Sequence, residues 1–238
     1  ECCWKRKGQL KYYPLPGGEA AIREPWRMAA AYLDMAAPEY LEDWLAQNGL
    51  HQKWPILRMA LKQGINAPET SSMGRLFDAV AAVTGNFKEV SYEGEAAVWF
   101  EHQADPTGWG EYQFEISNLD GKLEIDPGII LKQVCRDRGY LSTGAISAKF
   151  HRTIAALVVE VCLRLRIETG TEQVVLSGGV FQNRLLLDLT WESLERKGFK
   201  VFVPEVVPMN DGGIALGQAW LGSLMIERGI GDVFSGAR

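Results

Sequence analysis

Apolar residues between Glu24 and about Phe100 recur at three- and four-residue steps, the spacing of helices with one buried face. Trp26, Met28, Ala29, Ala30 and Leu33 follow Pro25, whose fixed φ and missing N–H suit a first helical turn. Pro38 opens a second run through Tyr40, Leu41, Trp44 and Leu45, stopped near Gly49. Trp54 to Leu61 is a third, ended by Gly64. Ser71 or Ser72 can cap a fourth, which runs through Leu76, Phe77, Val80 and Val83 to Gly85. Glu93 to Gln103 is a fifth.

After Trp109 the period changes. Tyr112, Phe114 and Ile116 alternate with polar residues, which predicts a half-buried strand. Asp120-Gly121 is a hairpin turn signal, with a return strand from Leu123 to Ile125. Asp126-Pro127 opens a helix to about Arg138, and Thr143 to Thr169 is the clearest helix of all, ended by Gly170. Val174 to Leu176 reads as a buried strand, Ser177-Gly178-Gly179 as a tight turn and Gln182 to Lys197 as a helix stopped by Gly198. Phe199 to Val203 is another strand, and Asp211-Gly212-Gly213 leads into a helix from Ile214 to Glu227. The Gly-rich tail 229–238 reads as frayed. Gln9 to Tyr13 reads as a short strand that needs partners, so the chain reads as a piece of a longer polypeptide. The C-terminal third is thus an α/β pattern, preceded by a helical insert.

Composition narrows the function classes. Of 238 residues, 47% are hydrophobic and 23% charged, ordinary globular values that argue against disorder of the whole chain. A net charge of −5 disfavours gripping nucleic acid by bulk charge. The longest apolar stretches, such as Ile154 to Val159, are far short of a membrane span, and no apolar region follows the basic residues of 1–8 as a signal peptide requires. The four cysteines, Cys2, Cys3, Cys135 and Cys162, form no CxxC pair, which suits reduced thiols in a cytoplasmic protein. His51, His102 and His151 form no HxxxH motif, so no complete local metal site is expected.

Two glycine turns carry the candidate chemistry. Ser177-Gly178-Gly179 sits between a strand and a helix, where glycines let backbone approach a ligand and a helix N-terminus offers N–H groups to an anion. Asn183, just inside that helix, could bond a base or ribose. A ligand-free tight turn explains the same residues. At Asn210-Asp211-Gly212-Gly213, Asp211 is either a helix cap or a carboxylate for a divalent metal, with the glycines leaving room for phosphate. Both turns are expected at one end of the sheet. Asp78 lies one turn after Gly74 and three residues after Arg75, so it is either a structural ion pair or a ribose-binding carboxylate. A structural role is the commoner one for a lone histidine such as His151. The eight tryptophans read as core or interface.

Four segments resemble a known family: Leu15-Pro16-Gly17-Gly18-Glu19-Ala20-Ala21-Ile22-Arg23-Glu24-Pro25-Trp26-Arg27-Met28; Thr70-Ser71-Ser72-Met73-Gly74-Arg75-Leu76-Phe77-Asp78-Ala79-Val80-Ala81; Phe150-His151 with Thr153-Ile154-Ala155; and Leu176-Ser177-Gly178-Gly179-Val180-Phe181-Gln182-Asn183 with Asn210-Asp211-Gly212-Gly213. They look like the C-terminal TsaD-like domain of the HypF family, the carbamoyltransferases of nickel–iron hydrogenase maturation. The resemblance implies an actin-like ATPase fold of two RNase H-like lobes. It also implies upstream acylphosphatase-like, zinc-finger and YrdC-like domains, the last making carbamoyl-adenylate from carbamoyl phosphate and ATP. The TsaD-like domain would pass the carbamoyl group to the C-terminal cysteine of HypE, on the way to a cyanide ligand of the hydrogenase iron. Residue by residue, it assigns Gly74, Asp78, Ser177, Gly178, Gly179, Asn183 and Gly212 to the nucleotide and Asp211 to a divalent metal. His151 is typical of the family without an assigned role.

The family's metal site also needs two first-lobe histidines at HxxxH spacing, a motif this sequence lacks. The expectation is therefore an α/β second lobe with a helical insert, the first lobe largely missing, and weak metal affinity. Residues 1–18 would be a remnant of the first lobe, 19–110 a helical subdomain and 111–238 the RNase H-like lobe. Such a chain would not complete the transfer alone. The alternatives are another actin-like phosphotransferase, a tRNA-modifying TsaD relative and a non-catalytic docking module.

Overall fold

Several helices start where a side chain supplies a partner for an unpaired backbone N–H. A computed structural model describes residues 5–227 of the chain. After strands β1 (Gly8–Leu10) and β2 (Tyr13–Pro14) come helices α1 (Ala20–Arg23), α2 (Trp26–Ala36), α3 (Leu41–Asn48) and α4 (Lys53–Lys62). Gly49 ends α3 with φ 66°, a conformation glycine adopts without steric cost. Strand β3 (Glu69–Thr70) precedes α5 (Met73–Gly85), and the Ser72 hydroxyl accepts from the Arg75 N–H at its start. Helix α6 (Glu95–His102) completes the helical stretch.

Strands β4 (Ile116–Leu119) and β5 (Lys122–Ile125) form the expected hairpin, with Asp120 and Gly121 at φ 51° and 79°. Asp126 caps α7 (Pro127–Asp137), and Ser142 caps α8 (Thr143–Thr169). The rest is β6 (Gln173–Val175), α9 (Arg184–Arg196), β7 (Lys200–Phe202) and α10 (Ile214–Glu227), with short 3-10 turns at Gly179–Gln182 and Asp211–Gly213.

Three expectations are corrected. The single strand over Gln9–Tyr13 is two pieces: β1 pairs parallel with β5, and β2 pairs antiparallel with β3. Tyr112 to Glu115 is not a strand, because its backbone bonds go to side chains. The Tyr112 N–H donates to Thr153 Oγ1, and Gln133 both accepts from the Gln113 N–H and donates to its carbonyl. The helix expected from Gln182 begins at Arg184, with Asn183 as its cap.

Two apolar cores share α8. The larger gathers α2, α5, α7 and the first half of α8, and draws side chains from both sides of position 110. Ala29 and Ala30 on α2 and Ala79, Ala81 and Ala82 on α5 are fully buried; such short side chains let two helices pack closely. Phe77, Phe100 and Phe150 pack edge to face at 5.0–5.7 Å beside His151. The smaller core holds Val159, Leu176, Leu187, Leu194, Phe199 and Val201, between α8, α9 and the parallel β6–β7 pair. At 27 residues, α8 is about 40 Å long, enough to serve both. In α10, by contrast, no residue is buried, although only Glu227 is charged. The fold is α/β in class, dominated by helices, and the strands among the described residues lie in three small sheets. No helix among the described residues is long and apolar enough to cross a membrane. The tail 229–238, expected to fray, lies outside the described residues.

Candidate nucleotide-facing site

The segments singled out in the sequence converge. A Cβ on Gly74, in the first turn of α5, would sit 3.9 Å from a methyl of Val180 in the Gly179–Gln182 turn. The Gly178 N–H donates to the Met209 carbonyl at 2.8 Å, which ties the first glycine turn to the second. Ser177, Gly178, Gly179, Asp211 and Gly212 are all exposed. The cluster is thus an open face of the chain.

The glycines differ in their reasons. Gly178 has φ 103°, which L side chains rarely adopt, so backbone geometry demands glycine there. Gly179 has ordinary φ, and a Cβ on it would meet nothing within 4 Å. The folded chain makes no steric demand for glycine at 179, leaving open space that a ligand can use. At the second turn the chain makes its own demand: a Cβ on Gly213 would lie 2.8 Å from the Pro208 carbonyl oxygen, and one on Gly212 3.2 Å from Asn210 Oδ1.

Several assigned side chains are engaged within the protein. Asn210, not Asp211, caps the second turn by accepting from the Gly212 N–H at 3.0 Å. Asp211 is left as an exposed carboxylate. Asp78 is 2% exposed and paired with Arg75 at 3.0 Å; Arg75 also reaches Glu93 at 3.4 Å. Burial outweighs the guanidinium and raises the Asp78 pKa to about 6. The carboxylate expected at a ribose is thus sealed beneath the start of α5, where it holds Arg75.

The start of α9 also departs from expectation. The N–H groups of Leu185 and Leu186 are not free for an anion. Leu186 N–H donates to Asn183 Oδ1 at 2.8 Å, and Leu185 N–H to Glu101 Oε1 at 3.0 Å. A carboxylate from α6 already fills the place where a helix N-terminus attracts negative charge. Asn183 is likewise the cap rather than a residue inside the helix, and its Nδ2 donates to His151 Nε2 at 2.8 Å. His151 is fully buried on α8. Sequence reading missed Glu101 altogether and gave His151 no partner, since the contacts span 84 and 32 residues.

Among the described residues, no group of three or more His, Cys, Asp or Glu side chains comes together to hold a metal ion. Asp211 can supply one of the roughly six oxygen ligands of a divalent cation, so it would hold such an ion only together with donors from outside the described residues.

The profile of the carbamoyltransferase Kae1-like domain, second subdomain, matches residues 1–218. The chain belongs to the HypF carbamoyltransferase family. It is 35% identical over 235 residues to the carbamoyltransferase HypF of Synechocystis, covering 90% of this chain and 30% of that one. Against the HypF of Rhizobium leguminosarum it is 38% identical over 223 residues, covering 90% and 27%. A crystal structure of full-length HypF in a phosphate- and nucleotide-bound form superposes with a TM-score of 0.89 at 39% identity, over 94% of this chain and 30% of that one. The chain therefore spans about 30% of the length of these HypF relatives.

Proposed function

We propose that this chain is the nucleotide-facing part of a carbamoyltransferase of hydrogenase maturation, acting within a longer cytoplasmic polypeptide. Its ligand would be carbamoyl-adenylate or ATP, and its acceptor the C-terminal cysteine of HypE. The observation that carries the reading is the meeting of Gly74, the Ser177–Gly179 turn and the Asn210–Gly213 turn on one open face. Three chain segments far apart in sequence converge there, and membership of the HypF family supplies the chemistry.

In the reaction, the cysteine thiolate attacks the carbamoyl carbon. The bond from that carbon to the phosphate oxygen of AMP breaks, and AMP leaves with the electron pair. The chain's own part is to hold the nucleotide: exposed backbone at Gly178 and Gly179 gives close approach, Gly212 lines the neighbouring turn, and Asn183 offers a remaining amide hydrogen. A metal bound in the complete site would help neutralise the leaving phosphate, with Asp211 as one ligand beside donors from a first lobe.

The proposed frame is the second, RNase H-like lobe of an actin-like fold, with YrdC-like and acylphosphatase-like domains upstream. Support comes from the parallel β6–β7 pair, since parallel sheets are normally covered on both faces, whereas Val175 on β6 is 66% exposed. No nucleic acid or membrane is a partner in this reading.

The test is carbamoyl transfer from carbamoyl phosphate and ATP to a HypE acceptor, assayed with the full-length polypeptide. Asp211→Ala should abolish transfer with an unchanged melting temperature. Full activity in that variant would return Asp211 to a solvated turn residue, and failure of the parent protein to bind ATP or AMP would sink the reading.

A further inference from the structure

We infer that His151 is a positioning residue: its Nε2 lone pair sets which way the Asn183 amide faces and so presents a hydrogen-bond donor beside the glycine turn. The geometry is over-determined. His151 Nδ1 lies 2.7 Å from the Ser147 carbonyl oxygen, which can only accept, so Nδ1 carries the ring proton. Nε2 then holds a lone pair, and the Asn183 atom 2.8 Å away must be the amide nitrogen. The other end of the amide agrees, because Oδ1 accepts from the Leu186 N–H.

The surroundings keep the ring in this state. Phe77 and Phe100 lie 5.3 and 5.7 Å from the imidazole, centroid to centroid. The Ser147 hydroxyl, 3.3 Å from Nδ1, donates to the Phe100 carbonyl. No charged side chain is among these contacts, and burial pushes the His151 pKa down to about 4, so the ring stays neutral. An imidazole that only filled this space would leave a buried nitrogen unpaired, which is costly in a dry interior. Here both nitrogens are satisfied.

The consequence concerns ligand chemistry. With Oδ1 on Leu186 and one Nδ2 hydrogen on His151, Asn183 has its second Nδ2 hydrogen to offer. The group it meets on a nucleoside is then an acceptor, a ribose oxygen or a ring nitrogen. A flipped amide would select a donor instead. This inference rests on the nucleotide reading of the glycine turn proposed above.

The experiment titrates the full-length polypeptide with ATP by calorimetry, following melting temperature in parallel. Four variants are compared: N183A, H151Q, H151M and the double variant H151M/N183A. Gln and Met are alike in size, and only Gln keeps an oxygen acceptor near the place of Nε2. N183A should weaken ATP about tenfold or less, the worth of one hydrogen bond. H151M should lose as much, H151Q should stay within about twofold of the parent, and the double variant should be no worse than N183A. Wild-type affinity in H151M beside weakened N183A would overturn the positioning role and leave the nucleotide reading standing. Unchanged affinity in N183A would remove Asn183 from the site, and with it the role of His151. Should the His151 variants not fold, nitrogen NMR of the parent decides: a proton on Nδ1 supports the arrangement, and one on Nε2 overturns it.

Discussion

The larger core and the C-terminal β6–α9–β7–α10 stretch carry equally clear sequence patterns, yet they end in different states. In the first, α2 is buried on several sides, and Met28, Ala29, Ala30 and Leu33 lose all solvent exposure. In the second, α9 finds a core with α8, but α10 buries none of its side chains and Trp220 is 66% exposed. Local sequence places a helix in both regions. Whether an apolar helix is also buried depends on a second layer, supplied to α2 by α5 and α7. A helix that is apolar all round is normally a buried one, so α10 is written for surroundings richer than the described residues provide.

Truncation tests this contrast most strongly. Phe150→Ala removes an aromatic side chain packed against Phe77 and Phe100, and should cost about 3–5 kcal/mol in urea unfolding. Trp220→Ala, measured in the isolated chain, should change stability by less than about 0.5 kcal/mol. A comparable loss at both positions would mean that α10 is covered after all.

A second test uses acid. The folded pKa of His151, about 4, lies below its ordinary 6.5, so the unfolded chain takes up the proton first. Stability from this group is complete above pH 6.5 and falls away as the pH drops towards 4. The amount is about 3 kcal/mol. H151Q should flatten that part of the stability-against-pH curve, whereas an unaltered slope would place its origin elsewhere.

The smallest effects come from the glycine turn itself. Gly178→Ala forces a Cβ into φ 103° and should lower stability by about 1–2 kcal/mol. Gly179→Ala meets nothing within the chain and should leave the melting temperature unchanged while weakening ATP binding. Equal behaviour of the two variants in both measurements would reduce Gly179 to an ordinary surface glycine.

The sequence by itself determined several helix ends and singled out the segments that meet on the open face. Ser72, Asp126, Ser142, Gly49 and Gly170 act on backbone groups within a few residues, so their effect is written locally. The alternation of Tyr112, Phe114 and Ile116 misled because it records burial, not pairing: Tyr112 is buried while its N–H finds Thr153, 41 residues away. The pairing of Asp78 with Arg75 was legible in their spacing, whereas Asn183 was legible as a residue of interest but not in its duty. Only tertiary structure buried the Arg75–Asp78 pair and brought Glu101 to the start of α9 and His151 to the Asn183 amide. For Glu101 and His151 the physical reason is the same. A buried polar group must find a partner wherever the fold supplies one, and across 32 or 84 residues no local pattern records which partner that is.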